Sequence, residues 1–159
     1  MREIIFRGKS EYDGEWIHGG ALHQTDNYGD EVDRWFIIDG TETLDYDIGE
    51  PIRVIPETIG QYTGLTDKNG TKIFEGDIVR VITVDDHKEK RAIVGFDRFF
   101  DDNTECEYIG FYIYFLGMKT TVTQLDHEQA KESLEVIGNI HDNPELMETQ
   151  DGMWRCAKG

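Results

Sequence analysis

The segment from residue 59 to residue 81, IGQYTGLTDKNGTKIFEGDIVRV, constrains the fold most, because it combines two turn signals with three extended runs. Its centre, Asp67-Lys68-Asn69-Gly70, predicts a tight hairpin turn, since Asn and Gly tolerate the positive φ that such turns require. A second break follows at Glu75-Gly76-Asp77, and the residues between and after the breaks are largely β-branched or aromatic. The segment therefore predicts a hairpin followed by a new strand. It contains no reactive constellation.

Strand character extends over most of the chain. In the run 108–116, Phe111, Ile113 and Phe115 are predicted to share one face, opposite Tyr112, Tyr114 and Leu116. Gly19-Gly20 would weaken a strand unless a bulge or a close backbone contact lies there. Extended runs are predicted at residues 3–7, 14–22, 35–38, 52–55, 72–74, 78–84, 91–96, 108–116, 120–125 and 134–140.

Helical signals are few and lie near the C-terminus. Asp126 can cap a segment that ends at Ser133, with Gln129 in the capping-box position. Asn143 followed by Pro144 predicts one helical turn to about residue 148, with Asn143 as its N-cap.

Three parts of the sequence resemble the YopX family of bacteriophage and prophage proteins. They are the central segment 59–81, the run EVIGNIHDNPEL at 135–146, and the opening REIIFRGK at 2–9 with GEWIHG at 14–19. They follow the family's order and extend to about residue 148. The resemblance implies a phage-derived, mostly β protein whose biochemical role is unassigned, and it supplies no catalytic residues.

The predicted fold is mainly β, with one or two short helices near the C-terminus. Residues 1–57 are expected to form an N-terminal β subdomain, with Pro51 and Pro56 marking strand edges. Residues 58–148 are expected to form the YopX signature module, whose residues 58–141 close into a small SH3-like β-barrel, by analogy with other barrels entered through an EGDIV-type strand. Residues 149–159 are expected to be a flexible tail.

The charge balance argues against free nucleic acid as a partner. The chain has 16 Lys and Arg against 33 Asp and Glu, a net charge of −17, whereas phosphate binding depends on clustered basic residues. The acidity has two interpretations: it keeps the protein soluble, or it forms a surface that meets a basic patch on a host protein. The acidic residues are scattered, which favours folded loops over a disordered tail.

The sequence predicts a cytoplasmic protein without disulfides. Its two cysteines, Cys106 and Cys156, lie in unrelated contexts, and no signal peptide precedes the first predicted strand. No apolar run approaches the roughly 20 residues that span a bilayer. For a phage protein this means the cytoplasm of the host.

No catalytic, cofactor or metal site is predicted. The run that begins at Asp67 resembles the start of a calcium loop, but Lys72 and Ile78 occupy the positions where that loop needs Gly and Glu. The histidines are too widely spaced for a zinc site, and neither cysteine has the sequence context of a nucleophile. These histidines are His18, His23, His87, His127 and His141.

The leading functional hypothesis is a non-enzymatic phage accessory protein that binds another protein, either a host protein or a second copy of itself as a homo-oligomer. The alternative is an acidic mimic of DNA that blocks a host nucleic-acid enzyme, and a hydrolase ranks third. Trp35, Tyr112 and Tyr114 are the predicted exposed aromatic residues for a protein interface. Membrane binding is not expected.

Overall fold

The computed structural model describes residues 3–25, 34–39, 49–82, 90–101, 104–117 and 122–148. The chain divides into two compact units, Met1–Gly64 and Leu65–Gly159. The predicted boundary at residues 57/58 precedes this division, which falls inside a strand. The predicted tail at 149–159 lies outside the described residues.

Most of the described chain is β-strand, which confirms that the fold is mainly β. The strands are β1 (Phe6–Lys9), β2 (Trp16–Gln24), β3 (Arg34–Ile38), β4 (Pro51–Val54), β5 (Gly60–Thr66), β6 (Lys72–Phe74), β7 (Asp77–Val81), β8 (Lys90–Asp101), β9 (Cys106–Phe115), β10 (Val122–Gln124) and β11 (Leu134–Asn139). They form two antiparallel sheets, with orders β4-β3-β2-β1-β5-β6 and β10-β9-β8-β7-β11.

In the first unit, β2 pairs with β1 along its first half and with β3 along its second half. Gly19 is opposite Phe6 of β1, and the next residue, Gly20, is opposite Ile38 of β3. Of the two alternatives left open for Gly19-Gly20, a bulge or a close backbone contact, the structure shows the contact, because a Cβ on Gly19 would lie 1.9 Å from the carbonyl oxygen of Ile38. Pro51 is the first residue of the edge strand β4, which is where a proline costs no ladder hydrogen bond.

The predicted hairpin turn joins β5 to β6. The amide of Gly70 donates to the carbonyl of Asp67, and the amide of Asp67 donates to Thr71. Gly70 has a φ of 84°, whereas Asn69 is not among the described residues with positive φ. Glycine alone therefore supplies the left-handed residue of this turn.

The second unit is built on the five-stranded sheet. The predicted alternation in β9 is confirmed, since Ile113 and Phe115 are buried in the core. That core contains Ile73, Val79, Val81, Ala92, Val94, Ile113, Phe115, Leu125, Ala130 and Leu134.

The predicted SH3-like barrel is not confirmed, because neither sheet closes within the described residues. The five-stranded sheet ends at β10 and β11, which lie on opposite edges, while β5 and β6 belong to the other sheet. Barrel closure requires the first and last strands to pair. Here β8 and β9 instead continue past their neighbours as a long hairpin.

One α-helix is described, α1 (His127–Ser133), and it begins as predicted. The Asp126 carboxylate accepts a hydrogen bond from the amide of Gln129 at 2.8 Å. The turn at Pro144–Met147 is a 3₁₀ helix, and the side chain of Asn143 makes no capping bond to it. Instead, its Oδ1 accepts from the amide of Asn139, so the predicted cap is wrong in this detail. None of the described helices is long and apolar enough to cross a membrane.

Candidate interaction surface

The calcium-like run at Asp67 serves to anchor the hairpin turn. Asp67 is 3% exposed. Its Oδ1 accepts from the amides of Asn69 and Thr71, at 2.8 and 2.9 Å, and its Oδ2 accepts from the amide of Val136 at 2.9 Å. The amide of Lys68 also donates to the carbonyl of Leu134. Oδ1 thus holds the turn closed, and Oδ2 fixes it to β11.

The second break in the central segment is organised by another buried carboxylate. Asp77 is 1% exposed, and its Oδ2 accepts from the amide of Phe74 at 2.7 Å. Gly76 has a φ of 78°. Its amide donates to the carbonyl of Val94, and its carbonyl accepts from the amide of Ile140. The two buried carboxylates of the central segment, Asp67 and Asp77, therefore have structural roles.

Beside the turn, Glu135 on β11 bridges two cations. Its Oε2 lies 2.7 Å from the Lys68 ammonium and 2.8 Å from the Arg80 guanidinium. The hydrogen bond from Lys68, followed by that from Arg80, lowers the pKa of Glu135 below its ordinary value.

This ion network predicts an acid-dependent loss of stability. A carboxyl whose folded-state pKa is lowered stabilises the fold above its ordinary pKa, near 4.5, and the contribution is lost as the pH falls through the lower folded value. We expect Glu135→Gln to be less stable than the parent at about pH 6, and the difference to shrink towards about pH 3. Urea unfolding at both pH values measures the difference in the free energy of unfolding. Glu132→Gln, on the exposed side of α1, is the control and should show a smaller pH-dependent difference.

Among the described residues of the second unit, the long hairpin of β8 and β9 carries most of the exposed large apolar side chains. β7 pairs with β8 only from Lys90 to Ile93, and β10 pairs with β9 only from Tyr112 to Tyr114. Residues 95–101 and 106–110 continue beyond these neighbours, and we call them the arm. Antiparallel pairing holds the arm together as far as Asp101 opposite Cys106.

One face of the arm continues the core face of the sheet outward. Val94 pairs with Ile113 in the core, and Phe96, opposite Phe111, is the next position on the same face. Phe96, Phe100 and Ile109 are 47%, 56% and 77% exposed. We call these three side chains the arm patch.

An ion pair lies on the same face of the arm as the arm patch. Nε and Nη2 of Arg98 donate to the two carboxylate oxygens of Glu107, each at 2.6 Å. Arg98 is opposite Ile109, and Glu107 is opposite Phe100. The pair therefore connects the two strands diagonally on the face that carries the apolar side chains.

The opposite face of the arm is packed. Phe99 is 9% exposed, and its ring centroid lies 5.7 Å from that of Tyr108 and 5.4 Å from that of Tyr112. The Tyr112 ring also lies over Gly95, where a Cβ would come within 2.6 Å of it. Burial raises the pKa of Tyr112, and the nearby Asp97 carboxylate adds to the shift. The packed rings therefore lie on this face, and the arm patch lies on the other.

The predicted interface aromatics are more enclosed than the arm patch. Trp35 is partly buried and stacks on His23, with ring centroids 4.1 Å apart. Tyr112 is partly buried, and Tyr114 is 39% exposed. Of the other candidates, Cys106 is an exposed free thiol on the arm, while Cys156 and His87 lie outside the described residues.

The arm patch was missed because the predicted strand ended at residue 96. Asp97 and Arg98 interrupt the apolar run, so residues 97–101 lacked the pattern of a buried strand. The useful signal was the alternation of Phe96, Arg98 and Phe100, which places two aromatic rings on one face.

The comparisons with known proteins identify relatives of nearly the whole chain. A family model described as YopX protein matches residues 5–148. Among solved structures, the chain is similar to protein EF1440 from Enterococcus faecalis, with 26% identity and a TM-score of 0.50 over 93% of this chain and 100% of that one. No curated protein matches the chain. The family match includes the central segment and the run at 135–146, and it confirms the predicted resemblance.

Proposed function

The chain belongs to the YopX protein family, and on that premise we propose that it acts without catalysis by binding another protein through the arm patch. The main support for this proposal is that Phe96, Phe100 and Ile109 are all exposed on one face of a single hairpin. Contiguous exposed apolar side chains beside polar ones are typical of protein–protein contact sites.

The surroundings of the arm patch also support a binding role. The aromatic contacts of Phe99 on the opposite face and the Arg98–Glu107 pair restrain the hairpin before a partner arrives. A surface that is ordered in advance loses less conformational entropy on binding. The proposed setting is the cytoplasm of the host of a phage or prophage.

A second candidate function, mimicry of DNA, is favoured by the net charge of −17. A mimic would bind a basic nucleic-acid enzyme through dispersed charge, and such binding weakens steeply with salt. Binding through an apolar surface is far less sensitive to salt. Salt dependence and DNA competition therefore separate the two functions.

The arm variant Phe96→Ser/Phe100→Ser/Ile109→Ser, which keeps the net charge, is expected to lose the partner. Tagged parent protein is used to capture partners from host cells at about 0.1 M and about 0.5 M salt, which spans the range in which exposed charges become screened. We expect the parent to retain the partner at both concentrations and the arm variant to lose it at both.

The matched control is Ile4→Ser/Leu22→Ser, because these residues are 65% and 46% exposed but belong to the first unit. This variant should capture the partner as the parent does. Equal capture by the arm variant would contradict the proposal. Release by salt together with displacement by duplex DNA would establish the mimic instead.

A further inference from the structure

The outer edge of β9 is open along the arm. β10 pairs with β9 from Tyr112 to Tyr114, and the amide of Leu125 then donates to the carbonyl of Phe111. Within the described part of the chain, no strand pairs with residues 106–110 on the side away from β8. Such an edge offers amide and carbonyl groups to an added strand.

The side chains beside this edge differ between the two faces. One face carries Ile109, Phe96 and Phe111 around the Arg98–Glu107 pair. The other face carries the Asp97 carboxylate beside packed aromatic rings. Because side chains alternate along a strand, an added strand places every second residue against each face. A segment that alternates apolar and polar residues therefore fits both.

The charge of the arm selects the sign of those polar residues. The arm and the adjacent Glu105 together contain four carboxylates (Asp97, Asp101, Glu105 and Glu107) and one guanidinium (Arg98), which gives a local net charge of −3. The guanidinium of Arg98 is already held by both oxygens of Glu107. The acidic groups at Asp97 and Glu105 thus favour positively charged side chains on whatever binds.

We propose that the arm binds an extended, basic segment of another protein, which adds as a strand along residues 106–110 of β9. This inference rests on the proposed function and names its partner class. The segment places apolar side chains on the arm patch and Lys or Arg near Asp97 and Glu105. A second copy of the chain fits less well, because each copy carries a net charge of −17 and like charges repel at close contact.

Three capped eight-residue peptides serve as probes: alternating Val-Lys, alternating Val-Glu and alternating Ser-Lys. Binding to the full chain is measured by fluorescence anisotropy, and the contact region is located from amide exchange and NMR shifts. We expect the Val-Lys peptide to bind at least about tenfold more tightly than either of the others, a difference of about 1.4 kcal/mol. Amides within residues 106–110 should gain protection.

Two variants sharpen the test, one that keeps every charge and one that keeps the apolar contact. The arm variant keeps every charge, so its loss of Val-Lys binding reports the apolar contact. Asp97→Asn/Glu105→Gln keeps the apolar contact, and it should slow association several-fold at low salt with little change in dissociation. Unchanged melting temperatures establish that both variants are folded.

The inference is overturned if the Val-Lys peptide does not bind, if the Val-Glu peptide binds equally well, or if the protected amides lie elsewhere. It is also overturned if sedimentation shows self-association that the arm variant abolishes, since a second copy would then occupy the arm. In each of these cases, arm-dependent capture from host cells would leave the proposed function standing. Failure of the proposed function is recognised separately, by capture that does not depend on the arm.

Discussion

Gly19→Ala is expected to destabilise the first unit by about 3 kcal/mol or more, at the upper end of the effects of overpacking. The new Cβ would lie 1.9 Å from the carbonyl oxygen and 2.7 Å from the carbonyl carbon of Ile38. Both atoms belong to the backbone of β3, so no side-chain rotation relieves the clash. The strands β2 and β3 must separate where β2 passes from one partner to the other.

Urea unfolding followed by tryptophan fluorescence measures this effect, because Trp16 and Trp35 lie on β2 and β3. Gly20→Ala is the matched control, since a Cβ at Gly20 meets nothing within 4 Å. Replacing a strand glycine by alanine in open space should be neutral or stabilise by about 0.5 to 1 kcal/mol. Similar stabilities for the two variants would show that Gly19 of β2 does not lie as close to the Ile38 backbone of β3 as described.

Local signals in the sequence were sufficient for the elements that depend on nearby residues. The hairpin turn at Gly70, the cap at Asp126 and the alternation around Ile113 each involve hydrogen bonds or faces within a few positions. Such features depend on local φ, capping and period, which a sequence displays directly. At Gly19-Gly20 the sequence left a bulge or a close backbone contact open, and it did not indicate the partner, Ile38.

Long-range pairing accounts for most of what the sequence did not reveal. The predicted barrel required β5 and β6 to pair within the sheet of the later strands, whereas they belong to the six-stranded sheet that contains β1 to β4. Strand order depends on contacts between distant residues, and the EGDIV-type motif specifies only the local turn into β7. An analogy of motif could not determine closure.

The arm patch shows a different limit of local patterns. A pattern predicts burial when apolar residues alternate with polar ones, but it does not say where the neighbouring strands end. Phe96 and Phe100 are exposed because β7 and β10 stop before the end of the β8–β9 hairpin. Exposure of this face therefore depends on the relative lengths of neighbouring strands, which a local sequence pattern does not specify.

Asp67→Ala is expected to destabilise the second unit by about 3 to 5 kcal/mol. The carboxylate accepts three backbone amides, from Asn69, Thr71 and Val136. Hydrogen bonds to a charged group contribute about 1.5 to 3 kcal/mol each, and a buried donor left without an acceptor carries a further penalty of about 1 to 3 kcal/mol. The sum is reduced because water can reach the turn amides once the side chain is truncated. Thermal and urea unfolding of the full chain measure the loss.

Asp67→Asn distinguishes the carboxylate's acceptor role from simple filling of space. The amide oxygen can still accept from Asn69 and Thr71, but the Nδ2 group then faces the Val136 amide, so that two donors meet at a distance of about 2.9 Å. We expect Asp67→Asn to be less stable than the parent but more stable than Asp67→Ala. Asp126→Ala supplies the scale, since that carboxylate accepts one amide at an exposed helix start and its removal should cost about 1 kcal/mol. If Asp67→Ala cost no more than Asp126→Ala, the hairpin turn would not be anchored to β11 through this side chain, and the central segment would have to be held by its strand pairing alone.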